Sequence, residues 1–338
     1  MRVLVIGGTR FMGPHVVREL VTLGHTVTVF HRSKTEAELP ESVDHIHGDR
    51  NRLKDFGSEF KRIKPDVVLD MMLLNDTQAH DLASVMLGIT KRLVVASSCD
   101  VYRQYDLVRG VVSEPATNER TTEDSPLRDR LYPYRNEIKD KENPLYAYDK
   151  ILVERTVLSA PDLPATILRL PMVYGPRDYQ HRFLEFIKRM VDRRPAIILD
   201  PQEAEWRITR GYAENCAHAI CLAITDPRAA GRIYNVGESM ALSQREWIMR
   251  LADIIGWRGK VVTLPQDRLP KHQRSEEHWE HHLEVDTTRL RTELGYDEIV
   301  DADTALRRTI EWELANRIPD PEESGQYAAE DTALAGLD

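Results

Sequence analysis

The opening of the chain reads as a strand, a glycine-rich turn, a helix and a second strand. Residues 3–6 are a short run of branched apolar side chains, as expected for a strand buried in a parallel sheet. The turn at residues 7–13 has the sequence Gly-Gly-Thr-Arg-Phe-Met-Gly, and an amphipathic stretch over residues 14–23 ends at Gly24. Such a turn lets the backbone approach a pyrophosphate, and the helix N-terminus offers free N–H groups. This order predicts a dinucleotide-binding unit; the alternative is the same fold without a nucleotide.

Strand and helix patterns alternate through the first half of the chain, which is typical of a parallel sheet with right-handed crossovers. The predicted strands are residues 3–6, 26–30, 43–47, 67–71, 92–97, 165–170, 231–237 and 261–262. The predicted helices are residues 13–23, 52–62, 77–88, 146–159, 179–192, 243–255 and 303–316. The fold class that follows is α/β, a doubly wound parallel sheet of the Rossmann type with a smaller, discontinuous C-terminal substrate lobe.

The division into domains follows from this order of elements. The dinucleotide-binding domain is predicted at residues 1–172 plus 211–240, and the substrate domain at residues 173–210 plus 241–318. The last segment, residues 319–338, has six acidic and no basic residues, which favours a disordered acidic tail.

A long polar stretch, residues 103–143, separates the fifth predicted strand from the helix at 146–159. A segment of this length without clear periodicity is either a functional loop or lid, or a disordered surface insertion. The sequence favours neither reading.

Composition excludes several classes of protein. The chain has 338 residues, of which 41% are hydrophobic and 30% charged, so it can bury a large core. Its net charge of −9 disfavours non-specific binding to nucleic acid or to an anionic membrane. No apolar run approaches the roughly 18 residues of a membrane span. Cys99, Cys216 and Cys221 have neither disulfide nor metal-site spacing, so we expect a reducing cytoplasm.

Tyr146 and Lys150 stand four positions apart in the predicted helix at 146–159, which would place both on one face. A nearby cation favours phenolate over phenol, and Tyr otherwise titrates near ~10. The pair therefore predicts Tyr146 as the proton acceptor for an alcohol. Taken alone, a surface pair is the alternative reading.

Seven landmarks in order resemble the extended short-chain dehydrogenase/reductase family, which contains nucleotide-sugar epimerases, dehydratases and reductases. The landmarks are residues 7–13, 94–102, 122–126, Tyr146 with Lys150, residues 168–176, Arg207 and residues 286–296. The resemblance extends to about residue 316. The glycine turn also looks like a subgroup that includes chloroplast stem-loop-binding proteins.

The resemblance implies a role for each matching residue. Ser98, Tyr146 and Lys150 fall on the catalytic positions, for hydride transfer at a secondary alcohol or ketone of a sugar-like, possibly nucleotide-linked substrate. The implied cofactor residues are Gly7, Thr9, Arg10, Phe11, Met12, Gly13, His31, Arg32, Asp49, Arg50, Met71, Tyr146, Lys150 and Pro171. The implied substrate residues are Ser98, Cys99, Asp100, Met172 and Arg207.

Departures from the family pattern refine the cofactor prediction. Arg10 replaces the middle glycine of the turn, and His31-Arg32 stands where an acidic residue would bond the adenosine ribose. A missing carboxylate with arginine nearby suits a 2′-phosphate, which predicts NADP, with NAD as second choice. The alternative is that both arginines are solvated. Asp49 matches an adenine contact or caps the next helix.

The substrate prediction is broader. Met172 replaces the asparagine that contacts nucleotide-sugar phosphate, and Cys99-Asp100 after Ser98 gives no clear acid pair, so we expect an epimerase or reductase rather than a dehydratase. The alternative is a non-catalytic nucleotide-sensing or RNA-binding protein on the same fold. The family also implies a homodimer, with a candidate apolar stripe at Ile151, Val153, Thr156 and Val157.

Four histidines, His272, His278, His281 and His282, lie close together in a charged, irregular segment. We interpret this segment as a solvated loop and predict no metal site. Trp279, Lys271 and Arg274 are candidates for the border of the substrate cleft.

Overall fold

The computed structural model describes residues 1–33 and 37–336, and its strands form one large sheet and two small ones. The strands are β1 (Arg2–Ile6), β2 (Thr26–His31), β3 (Asp44–His47), β4 (Val67–Asp70), β5 (Arg92–Ser98), β6 (Ala165–Leu170), β7 (Met172–Tyr174), β8 (Ala196–Leu199), β9 (Arg210–Tyr212), β10 (Ile233–Asn235) and β11 (Lys260–Thr263). The large sheet is parallel throughout, in the order β10-β6-β5-β4-β1-β2-β3. The small sheets pair β8 with β11 and β7 with β9.

Helices cover both faces of the large sheet. They are α1 (Gly13–Thr22), α2 (Gly57–Ile63), α3 (Asp76–Met86), α4 (Arg103–Val108), α5 (Lys150–Leu158), α6 (Leu184–Val191), α7 (Pro201–Glu205), α8 (Ala213–Thr225), α9 (Gln244–Ile255), α10 (Thr288–Leu294), α11 (Ala302–Ala315) and α12 (Glu323–Ala335). Val3 and Val5 of β1 belong to the core layer that contains α1 and α8. Leu4 and Ile6 belong to the layer of α3 and α5. Alternate side chains of one strand thus face opposite layers, as a doubly wound sheet requires.

The strand order reverses beside β1, which positions the site. The chain runs from β1 outward to β2 and β3, and then returns to β4 on the other side of β1. Ile6 and Asp70 are register partners at the carboxyl ends of β1 and β4. Ser98, at the end of β5, pairs with Leu170 at the end of β6. In open α/β sheets, ligands bind outside the carboxyl ends of the strands at such a reversal.

A second core lies away from the sheet, between α6, α9 and α11. Trp247 and Phe183 are fully buried there with Tyr174, and their rings contact one another. This core is assembled from separate pieces of the chain, as expected for the C-terminal lobe. The domain boundaries themselves stay a prediction.

The helix predicted at 146–159 is wrong at its start, because α5 begins at Lys150. The Asp149 side chain caps it by accepting the N–H of Ile151 at 2.9 Å. Tyr146 lies in a separate 3₁₀ turn (Pro144–Ala147), and Tyr148 has extended backbone angles. Tyr146 and Lys150 therefore do not share a helical face.

The apolar stripe proposed for a dimer is also not available. Ile151, Val153 and Val157 are completely buried within the chain, and Thr156 is half-buried. These side chains of α5 pack inside the subunit because the neighbouring layer of α3 and the sheet covers them.

The last segment is helical and docked, so the expectation of a disordered tail is wrong for its described part. Glu330 of α12 is only 1% exposed and accepts a hydrogen bond from the Arg189 guanidinium at 2.6 Å. The acidic composition did not predict this docking, because the basic partner of Glu330, Arg189, lies on α6, far from this segment in the sequence.

The polar stretch at 103–143 is integrated with the fold, which excludes a disordered insertion. It begins with α4, and Glu123 and Arg128 within it are buried. Glu123 accepts the N–H of Asn235 at 2.8 Å, and Arg128 donates to the Asp100 carbonyl at 2.6 Å.

Within residues 1–33 and 37–336, none of the helices combines the length and the apolar character needed to cross a bilayer.

Candidate functional site

The glycine turn leaves a space that side chains would fill. Gly7 and Gly8 have φ of +105° and +86°, a region that other residues rarely adopt. A Cβ on Gly13 would lie 2.5 Å from the Gly8 backbone, so the first turn of α1 packs directly on the strand–helix turn. The N-cap Met12 makes no side-chain hydrogen bond to the helix, and the Gly13 and His15 N–H groups donate to the Arg10 and Met12 carbonyls. The tight glycine turn, with α1 packed directly on it, is what a dinucleotide pyrophosphate requires, so these residues fit that group.

The other predicted residues of the turn divide into two sets. Phe11 and Met12 pack against the core beneath the turn, where they hold its shape. Thr9 is half-buried and Arg10 is exposed. Met71 and Met72, which follow β4, close over the same turn: their side-chain atoms lie 3.4 and 3.1 Å from a Cβ built on Gly7.

The end of β2 carries histidine in place of a carboxylate. His31 is half-buried and its ring contacts those of His45 and His47 on β3, while Arg32 is exposed. Burial lowers the pKa of His31, and the two neighbouring histidines add to this effect.

A buried ion pair joins Arg50, which follows β3 in the chain, to Asp70 at the end of β4. Arg50 donates to Asp70 Oδ2 at 2.9 Å and to the Gln78 carbonyl at 2.9 Å, and Asp70 is completely buried. Burial raises the pKa of Asp70, and the Arg50 charge opposes this shift. Arg50 Nε and Nη1 are buried without a partner, so this guanidinium has unused donors. Asp49 serves as an N-cap by accepting the N–H of Asn51 at 2.9 Å.

Ser98, Asp100 and Tyr148 meet at the carboxyl end of β5. The Tyr148 hydroxyl donates to Asp100 Oδ2 at 2.7 Å, and the Ser98 hydroxyl accepts the N–H of Asp100 at 3.2 Å. Burial and the Asp100 carboxylate raise the pKa of Tyr148 well above its usual value, so this phenol holds its proton. Tyr148 is a functional candidate that the sequence did not predict. The sequence signal that could have identified it is Asp149, a capping residue that starts α5 at Lys150 and so leaves Tyr148 outside the helix.

Lys150 lies beneath this group as a buried ammonium. Its Nζ donates to the Leu73 carbonyl at 2.6 Å and to the Ala96 carbonyl at 2.8 Å. Burial lowers the pKa of Lys150 to about 8, although Asp100 and Asp70 favour its charge. A cation held among carbonyl oxygens at the carboxyl edge of the sheet can stabilise negative charge on a bound group.

Two further side chains close the site from the polar stretch at 103–143. The Tyr134 hydroxyl lies 3.3 Å from Asp100 Oδ2, and Arg128 lies 3.6 Å from Asp149 Oδ1. Burial raises the pKa of Asp100, and Arg128 partly offsets this shift. The Tyr146 ring lies 5.2 Å from the Arg135 guanidinium, a cation–π contact.

The structure places the remaining predicted cofactor and substrate residues in different surroundings. Cys99 is buried, and its thiol donates to the Arg169 carbonyl at 3.3 Å. Pro171 lies between β6 and β7 beside Gly211. Arg207 donates to the Ala241 carbonyl at 2.9 Å and pairs with Glu246 at 3.3 Å.

Met172 borders a cavity of about 320 Å³ between the sheet and the second lobe. Its walls include Trp206 and Trp279, whose ring centroids are 4.8 Å apart. Arg210 and Glu203 add polar groups, and burial raises the pKa of Glu203 to about 7. Trp279 therefore lines a cavity, and its place at the border of the substrate cleft stays a prediction. An apolar cavity with a few polar groups is typical of a small-molecule site.

The segment with four histidines is not a uniformly solvated loop. His281 is buried, and its carbonyl accepts a hydrogen bond from Trp206 Nε1 at 2.9 Å. His282 Nδ1 accepts the N–H of Arg207 at 3.2 Å, and His272 lies 3.3 Å from Glu330. Through these contacts, the segment packs beneath the cavity and against α12.

Comparison with known sequences finds relatives that include a reductase, a decarboxylase and a stem-loop binding protein. It is 26% identical over 277 residues to 2'-dehydrokanamycin reductase of Streptomyces kanamyceticus, covering 79% of this chain and 70% of that protein. It is 24% identical to UDP-N-acetyl-alpha-D-glucosaminuronate decarboxylase of Bacillus cytotoxicus, covering 92% and 97%. It is 23% identical to chloroplast stem-loop binding protein of 41 kDa b of Arabidopsis thaliana, covering 70% and 58%, which agrees with the subgroup resemblance of the glycine turn.

Comparison with solved structures confirms the fold. UDP-glucose 4-epimerase of Thermus thermophilus, solved with NAD, has a TM-score of 0.65 at 22% identity, covering 94% of this chain and all of that one. UDP-glucose 4-epimerase of Thermotoga maritima, solved with UDP-glucose, has a TM-score of 0.68 at 18% identity, covering 94% and 99%.

The family itself follows from a match over most of the sheet domain. The model of the NAD dependent epimerase/dehydratase family matches residues 3–237, which is more than half of the chain. The glycine turn, the buried lysine and the serine at the end of β5 all lie within the match. The chain therefore belongs to the NAD dependent epimerase/dehydratase family and is an enzyme of that class.

Proposed function

We propose that this enzyme transfers hydride at a secondary alcohol or ketone of a sugar-like substrate, with Tyr148 as its proton-transferring phenol. The observation that carries the proposal is the hydrogen bond from the Tyr148 hydroxyl to Asp100, at 2.7 Å, beside Ser98, whose hydroxyl accepts the Asp100 N–H. A dinucleotide with its pyrophosphate at the glycine turn would supply a nicotinamide as the acceptor or donor of hydride. A net epimerisation or reduction both fit this chemistry.

The chain's own residues handle the proton and the charge. Tyr148 holds its proton in the free enzyme, so it donates to a carbonyl oxygen that is being reduced and takes the proton back in the reverse direction. Ser98 donates a hydrogen bond to the same oxygen, and Lys150 stabilises negative charge as it develops. Asp100 orients the phenol and accepts its hydrogen bond between turnovers.

Two matched variants test which tyrosine acts. Tyr148→Phe is expected to lower hydride exchange from labelled cofactor by ~10²–10⁴-fold, because it removes a positioned proton donor. Tyr146→Phe keeps the ring that stacks on Arg135 and is expected to change the rate less than about tenfold.

The reverse ranking would return the role to Tyr146, the residue that the family pattern implies. Unchanged exchange in both variants would contradict phenol chemistry and favour the nucleotide-sensing or RNA-binding alternative, which the family match does not support. Cofactor binding, followed by fluorescence, should be intact in both variants.

We infer that the substrate occupies the cavity between Met172, Trp206 and Trp279. Indole faces suit the apolar faces of sugar rings and the bases of nucleotides, and Arg210 suits an anionic group. The relatives named above include a reductase of 2'-dehydrokanamycin and a decarboxylase of UDP-N-acetyl-alpha-D-glucosaminuronate. A thermal-shift panel of both classes identifies the substrate class, since a ligand that binds the folded state raises apparent stability.

For the cofactor, we propose NADP before NAD. The support is the end of β2, where His31 and Arg32 replace an acidic residue. Arg32→Asp is expected to lower the ratio of kcat/KM for NADP over NAD at least about tenfold, the loss of roughly one charge-assisted contact of ~1.5 kcal/mol. A wild-type enzyme that prefers NAD, as the named solved structure with NAD suggests by analogy, would contradict the proposal.

A homodimer stays a prediction of the family, which light scattering on the purified chain tests.

A further inference from the structure

Three imidazoles converge on one face of the sheet at its β2–β3 edge. His31 ends β2 and His45 and His47 lie on β3, where His31 is the register partner of His47. Residues two apart on a strand point to the same face, so His45 and His47 project together. His31 comes from the neighbouring parallel strand and completes the group. Sequence spacing does not reveal the full group, because His31 precedes His45 by 14 positions and meets it only through strand pairing.

The nitrogens are close to the spacing that a metal requires. One ligand nitrogen from each of the three rings lies within 4.8 Å of the other two. His31 Nε2 and His45 Nδ1 are already 2.9 Å apart. Tetrahedral zinc with Zn–N of about 2.0–2.1 Å needs nitrogens roughly 3.3 Å apart. His45 and His47 are exposed and His31 is half-buried, so small ring rotations can reach this spacing.

We propose that His31, His45 and His47 bind one divalent transition-metal ion, with zinc as the physiological candidate. Three histidines and an open fourth position form a donor set that zinc uses where it exchanges water or an anion. Imidazole also suits copper and nickel, whereas Mg²⁺ prefers oxygen ligands and is not expected to bind. The inference goes beyond the proposed function: the site shares His31 with the end of β2 that supports the cofactor proposal, and it uses neither Tyr148 nor Lys150.

Co²⁺ titration of the full-length chain, free of any affinity tag, tests the site directly. Visible absorption and calorimetry are expected to show one Co²⁺ per chain in tetrahedral coordination, displaced by Zn²⁺ and not by Mg²⁺. His45→Ala and His47→Ala are each expected to weaken Co²⁺ binding at least about tenfold, since even loss of an outer-shell partner has that effect. His80→Ala, an exposed histidine on α3, is the matched control and is expected to bind as wild type does.

The proposal is overturned if wild-type protein shows no stoichiometric Co²⁺ binding, or if His45→Ala and His47→Ala bind Co²⁺ as tightly as His80→Ala. Both ligand variants alter exposed side chains, and unchanged thermal melting in the absence of metal will confirm that they fold. Full hydride-transfer activity in His47→Ala leaves the inference intact, because the readout is metal binding alone.

Discussion

The glycine turn and the Tyr148–Lys150 group lie at the same edge of the sheet but are built in opposite ways. The turn works because side chains are missing: a single Cβ on Gly13 would meet backbone at 2.5 Å. The Tyr148–Lys150 group works because charged and polar side chains from distant segments are buried together. The first arrangement is fixed within seven consecutive residues, whereas the second depends on strands, helices and the polar stretch at 103–143. We expect the second to be costlier to maintain and more sensitive to pH.

The strongest test of this contrast removes a charge from beneath the second group. Glu154 accepts from Arg169 at 2.7 Å and from Ser97 at 2.5 Å, and Glu154 and Arg169 are almost completely buried. Glu154→Gln is expected to lower the free energy of unfolding by ~3–5 kcal/mol, because it leaves the guanidinium buried and uncompensated. Chemical denaturation measures this change.

The control for that variant is an exposed pair. Asp55→Asn breaks the contact with Arg52, whose side chain is largely in water, and is expected to cost only ~0–1 kcal/mol. Similar losses in the two variants would mean that burial does not distinguish the site from the surface.

A second test uses the pH dependence of Lys150. Its folded pKa of about 8 lies below the unfolded value near ~10.4, so between these values the unfolded chain binds more protons. The free energy of unfolding therefore rises with pH across this window. Below pH 8, Lys150 is charged in both states, and the full cost of burying its charge lowers the stability of the folded chain. The difference between wild type and Lys150→Met is expected to change by up to about 3 kcal/mol across the window. If the stability difference between wild type and Lys150→Met did not change with pH, burial of the Lys150 charge would carry no cost.

The third and smallest test adds one methyl group to the glycine turn. Gly13→Ala is expected to lower the free energy of unfolding by ~1–3 kcal/mol and to abolish dinucleotide binding, because backbone must shift to admit the Cβ. Gly57→Ala, at the open start of α2, is the matched control and is expected to be neutral or slightly stabilising. Full cofactor binding by Gly13→Ala would remove the steric account of the turn.

These differences also explain what the sequence could predict. Strands 3–6, 92–97 and 165–170 were found because their apolar runs report burial directly. The sequence did not predict α8, because most of its positions are buried and only Glu214, His218 and Thr225 mark a polar side. The start of α5 was misjudged because a spacing of four was read as helical, although Asp149 is a strong capping residue at that point.

The candidate site likewise has residues that the sequence predicts and residues that it does not. The glycine turn, Ser98 and Lys150 follow from local motifs, and the structure brings the last two to one edge of the sheet. Tyr134 and Arg128 are brought to Asp100 by the folding of the polar stretch at 103–143, which has no periodic signal, and Tyr148 is brought there by the turn before α5. Long-range burial of polar groups is a property of the whole fold, so no short window of sequence reveals it.

The docking of α12 has a practical consequence for anyone who trims this protein. Arg189 donates to Glu330 through both Nε and Nη2, and Arg194 also contacts Asp331 at 2.5 Å. A chain truncated at residue 318 lacks Glu330 and Asp331, so the guanidinium groups of Arg189 and Arg194 lose these acceptors. A shortened version designed for crystals is thus expected to aggregate, and fusion partners belong at the amino end.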